Sequence, residues 1–136
     1  MPDTAFLIAR AMLALMFLIA GVGKLMAVTS IAGAVQRYGI PQPQLVGYAI
    51  GIFELVAGLM VLAGFMTRWA AFALLIWVGT TIFVAHNFWT MEGAQYAAQR
   101  FQALKNIAVM GGLLLLAFAG PGSLSVDARG RRTSWR

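Results

Sequence analysis

Four long apolar stretches, at about 5–26, 45–64, 69–88 and 103–120, alternate with short connections rich in Gly, Pro and polar residues. A bilayer crossing needs roughly 20 apolar residues in helical form. The pattern therefore predicts an all-α chain, an integral membrane four-helix bundle. The first stretch is broken only by Arg10 and Lys24, near its ends, where long stems let the charge reach the head groups. Residues Met1 to Ala9 carry no basic region, so the stretch is read as a retained span and not as a cleaved signal peptide. The turn from Phe65 to Arg68 is so short that the second and third spans must form an antiparallel hairpin. The fourth span is the weakest signal, because Lys105 and Asn106 leave only Ile107 to Ala119 uninterrupted.

The connections add two elements. After the first span, Ile31, Ala34, Val35 and Tyr38 share one side of a short helix that Ser30 or Thr29 can cap, and Gly39, Pro41 and Pro43 end it. This predicts a short interfacial helix after the first span. Trp89 to Gln102 mixes Trp89, Tyr96 and Phe101 with polar residues, as expected at head-group depth, and is read as partly helical.

Composition narrows the class. With 61% hydrophobic and 10% charged residues in 136, and a mean hydropathy of +0.82, the four spans leave no material for a sizeable soluble domain. Residues 1–127 are read as one four-span domain and 128–136 as a basic cytoplasmic tail. The absence of cysteine removes disulfides, thiolate nucleophiles and iron–sulfur ligation. The single His86 cannot supply paired haem ligands, and Met12 and Met16 read as packing, so no metal is expected. If the termini are cytoplasmic, Arg10, Arg68, Arg129, Arg131, Arg132 and Arg136 face Lys24, Arg37, Arg100 and Lys105 across the membrane, a six-to-four bias in the expected direction. A basic tail beside a span suits anionic lipid, and no nucleic-acid partner is expected.

Glu54 is the candidate site. It stands near the middle of the second span, where an ionisable group costs roughly 2.5 to 3.5 kcal/mol and is normally turned inward and paired. Gly47, Gly51 and Gly58 share its face, and Phe17, Gly21 and Lys24 share a face of the first span with Arg10. Gly21, Gly51 and Gly58 are read as helix-packing positions that bring these two faces together. Arg10 lies about 8 Å of helix rise from mid-span and Lys24 about 13 Å. Side chains lean toward their helix N-terminus, which tips Glu54 toward Lys24 and His86, so its partner stays open between the two ends. The intramembrane polar set is Glu54, Arg10, Lys24, His86, Lys105 and Asn106, with no catalytic residue assigned. Interfacial anchoring accounts for Lys24 or Lys105 taken singly, and an ion pair can also merely fix helix register.

These residues resemble the DoxX family of small bacterial membrane proteins. The resemblance rests on Arg10 to Lys24, the Gly39-Ile40-Pro41 turn, Glu54 to Leu59, Gly64 with Thr67-Arg68, His86 to Trp89, Leu104-Lys105-Asn106 and Gly120 to Asp127, in order along the chain. It implies a four-helix protein of the inner membrane and an accessory role in a quinone-linked redox system. On that expectation the chain is an oxidoreductase subunit without metal or thiol chemistry of its own, with no intrinsic cofactor and a quinone as the candidate ligand, and its partners are the lipid bilayer and a redox protein. The alternatives are a small anion- or proton-coupled transporter, which would need a homo-oligomer to form a path, and a non-catalytic membrane scaffold.

Overall fold

The computed structural model describes residues 3–133, with side chains described through Arg129. Six α-helices occur in this range: α1 Asp3–Met26, α2 Val28–Gln36, α3 Pro43–Ala63, α4 Thr67–Val84, α5 Gly93–Ala119 and α6 Val126–Thr133, with a 3-10 turn at Phe88–Thr90. Helices α1, α3, α4 and α5 are long and apolar enough to cross a membrane. At 1.5 Å per residue even the 18 residues of α4 reach about 27 Å, close to the hydrocarbon thickness of a bilayer.

The boundaries differ from the pattern in instructive ways. Helix α5 begins at Gly93, ten residues before the apolar run at 103, because its first turns are polar and aromatic and extend beyond the hydrocarbon. Helix α2 starts directly after α1 at Val28, with Ala27 at its N-cap and no side-chain cap, so neither Thr29 nor Ser30 caps it. The amide of Ala27 instead still bonds the Gly23 carbonyl, and α1 runs into α2 with no gap for a capping turn. Gly39, at φ +68, and Pro43, in the first turn of α3, mark the exit from α2 as anticipated. The tail holds the short helix α6; residues 134–136, and the side chains of Arg131, Arg132 and Arg136, lie outside the described residues.

The core is built from small residues. Ala14, Ala57, Ala70, Ala71 and Ala117 are buried with Phe17, Val61, Leu74, Val78 and Leu113. Alanines let helix backbones approach, which matters in lipid because burying Leu against Leu gains little over burying it against acyl chains. The large apolar side chains point outward instead: Met12, Trp69, Ile76, Leu115 and Phe118 are all exposed. In water such a surface would aggregate; in a bilayer it is the solvated face.

Candidate functional site

Helices α1 and α3 pack antiparallel and very closely. A Cβ on Gly21 would lie 2.8 Å from the Leu55 amide nitrogen and 2.9 Å from the Gly51 carbonyl oxygen, and one on Gly58 would lie 3.1 Å from Cβ of Phe17. This contact puts Lys24 within reach of Glu54. The Lys24 side chain leans back toward mid-span and Glu54 leans toward the opposite end, so the two charges meet between their backbone levels. Lys24 Nζ donates to Glu54 Oε2 at 2.7 Å, and the indole Nε1–H of Trp77, on α4, donates to Oε1 at 2.6 Å. Phe53 packs edge-on against Trp77, with ring centroids 6.0 Å apart, and steadies the indole.

The Glu54 carboxylate is thus closed in, its side chain 5% exposed and each oxygen bonded, whereas the Lys24 side chain is 27% exposed. The pair is asymmetric: a sealed anion and a half-open cation. An ammonium has three N–H donors. Only one of those of Lys24 is bonded among the described residues.

Arg10 does not join this group. Its guanidinium donates to the carbonyls of Leu62, Pro121 and Leu124, at the end of the bundle that carries both chain termini. Leu62 is eight residues from Glu54, about 12 Å along α3. The carbonyls at a helix end lack intrahelical partners, and the last turn of α3 together with the loop after α5 offers a cage of them, which outcompetes a distant carboxylate. A Cβ on Gly64, at φ +72, would collide with Ser125 and with this guanidinium. Asp127 completes the cluster. It accepts from the amides of Met66 and Thr67, at 2.8 and 3.0 Å, and from the Thr67 hydroxyl at 2.9 Å, capping α4 from the far end of the chain.

The remaining candidates lie where the C-terminal part of α4 and the residues after it meet α5, and His86 and Asn106 make separate contacts there. His86 Nδ1–H donates to Gln99 Oε1 at 2.7 Å, and Asn106 Nδ2 donates to the Thr81 hydroxyl at 3.1 Å. His86 lies two residues past the end of α4, which is itself seven residues, about 10 Å, beyond Trp77, so it lies beyond Glu54. Lys105 is exposed and has no hydrogen bond or ion pair among the described residues. The six polar candidates therefore fall into separate groups. Only Lys24 reaches Glu54, because antiparallel helices place groups by depth and the other four sit one or more turns away.

Sequence reasoning did not find Trp77, Gln99, Thr81 or Asp127. For Trp77 a signal was present: Glu54 and Trp77 lie symmetrically about the Phe65–Met66 turn of the hairpin, and an indole N–H in mid-membrane needs an acceptor.

A four-span helical membrane protein with an ion pair between two of its spans is the class that this fold and site define. The chain belongs to the DoxX family, whose sequence profile matches residues 5–87. It is 32% identical over 123 residues to the inner membrane protein YphA of Escherichia coli (strain K12), covering 90% of this chain and 88% of that one. It is also 32% identical over 127 residues to the inner membrane protein YqjF of the same organism, covering 93% and 92%. The membrane protein Rv3486 of Mycobacterium tuberculosis is 31% identical over 134 residues, covering 88% of this chain and 77% of that one. These relatives and the four apolar helices support a multi-pass location in the inner membrane. No solved structure matches the chain.

Proposed function

We propose that the chain is an accessory subunit of a quinone-linked redox system, in which Lys24 binds a quinone carbonyl oxygen and Glu54 holds the lysine in place. The observation that carries this reading is the asymmetry of the ion pair. A sealed pair would be architecture alone, but a cation with two donors that bond nothing among the described residues and a part-open side chain is fitted to receive an oxygen acceptor from the membrane phase. A quinone is an apolar, membrane-dissolved molecule with two such acceptors. The chain has no cysteine, so a partner protein or the substrate itself supplies the electrons. On this reading both termini face the cytoplasm, where the basic residues after α5 meet anionic lipid.

The test is to purify the protein in mild detergent, extract its bound lipids and quantify quinone per protein by mass spectrometry. The wild type is expected to carry quinone above the level of an unrelated four-span protein, with roughly tenfold or greater loss in Lys24→Met, the effect of about 1.4 kcal/mol. Quinone at background in the wild type, or unchanged in Lys24→Met, overturns the proposal. A second role for the same residues has its own support, since the bonds of Glu54 tie α1, α3 and α4 together. A scaffold of this kind loses stability in Glu54→Gln without any change in bound quinone.

A further inference from the structure

At the end of the bundle remote from both termini, a cleft of about 660 Å³ opens between the C-terminal end of α2, the end of α4 and the first turns of α5. Its polar lining is Arg37, Tyr38, Asn87, Gln95 and Gln99, set among alanines, Val84 and Met91. Among the described residues no carboxylate lines it. Arg37 has no hydrogen bond or ion pair among the described residues, so its charge is not offset locally. The amide of Gln99 is oriented by His86: with Oε1 taken by the imidazole N–H, its NH₂ group remains as a donor. Tyr38, by donating its hydroxyl to the Val84 carbonyl at 2.6 Å, ties the α2 exit to the end of α4 and so fixes one wall.

We infer that this cleft binds an oxyanion attached to an apolar body, a phosphate ester or a free carboxylate, with Arg37 as the charge partner and Gln99 as the orienting donor. The chemistry follows from the lining. A guanidinium forms charge-assisted, forked hydrogen bonds to oxyanions, the primary amides extend the donor set, and the alanines, Val84 and Met91 accept the apolar portion. The site is separate from the Lys24–Glu54 pair and does not depend on a role for that pair. A soluble phosphate monoester and the head group of an anionic phospholipid share this chemistry, since the cleft lies where the interfacial helix α2 meets the spans.

The full chain in phosphatidylcholine nanodiscs is titrated with phenyl phosphate by calorimetry. In a parallel arm, phosphatidylglycerol retained after detergent extraction is counted by native mass spectrometry. Arg37→Gln is expected to weaken binding roughly tenfold or more in at least one arm, and the arm that responds identifies the source. Arg100→Gln, which removes an exposed charge outside the lining, is expected to leave binding unchanged. Absence of binding in both arms, equal binding by Arg37→Gln, or an equal loss in Arg100→Gln overturns the inference. Because Arg37 is exposed and unpaired, its replacement leaves the fold intact, which a thermal unfolding curve verifies.

Discussion

Each buried charge in this bundle finds partners of a different kind. Glu54 takes a cation and an indole; Arg10 takes three carbonyl oxygens, with the Asp127 carboxylate near enough to interact with its charge. The sequence revealed that Glu54 must be paired, because an unpaired carboxylate at mid-span is too costly to keep. It left Arg10 at one end and Lys24 with His86 at the other as rivals, the first two on the face of α1 that packs against α3. What separated them was depth and the supply of acceptors together, since Arg10 meets α3 at Leu62, about 12 Å along the helix from Glu54. Arg10 sits beside unpaired backbone carbonyls, which hydropathy and residue spacing do not register. Removing one member of a buried pair leaves the other uncompensated at a cost of about 3 to 5 kcal/mol, whereas removing both can be nearly neutral. The partial exposure of Lys24 moves its share toward the lower end of that range.

Among the elements, α1 and α3 form the tightest pair, and their glycines are graded in how much a side chain would disturb them. A Cβ on Gly21 meets the backbone of α3, which cannot yield, while one on Gly51 meets the branched end of Leu25 at 2.8 Å, which can rotate away. On Gly23 it meets nothing within 4 Å. We therefore expect Gly21→Ala to destabilise the protein by about 1 to 3 kcal/mol. Gly51→Ala should cost less, and Gly23→Ala should be neutral or stabilising by up to about 1 kcal/mol through helix propensity. Unfolding curves of the three variants in detergent check the order, and equal effects at Gly21 and Gly23 would refute it. The small-residue spacing was legible in the sequence; the length of α5 was legible only in part, because Trp89 to Gln102 read as partly helical but the join of its polar first turns to the span at 103 carried no signal. The rings of Phe88 and Tyr96 stand edge to face at 5.7 Å, which holds the start of α5 against the turn.

At the scale of the whole molecule, hydropathy alone dictated four spans, and an even number of crossings puts both termini at one end. The structure shows what closes that end: Arg10 and Asp127 bind the first helix, the α3–α4 turn and the chain after α5 into one cluster. Sequence spacing could not disclose such a closure between residues more than 100 positions apart. Because the chain has no cysteine, single introduced ones report sidedness cleanly. With cytoplasmic termini, Glu92→Cys should react with a membrane-impermeant maleimide in intact cells and Ser123→Cys only after permeabilisation; the reverse pattern would invert the proposed orientation. The central claim, that Glu54 is held in the bundle interior by Lys24, is tested most directly by a double-mutant cycle of Lys24→Met and Glu54→Gln on unfolding free energy in detergent. The account predicts that each single variant is destabilised, that the double variant loses less than their sum, and that the coupling is about 1 to 3 kcal/mol. Effects that simply add, to within about 0.5 kcal/mol, would mean that the two charges do not meet.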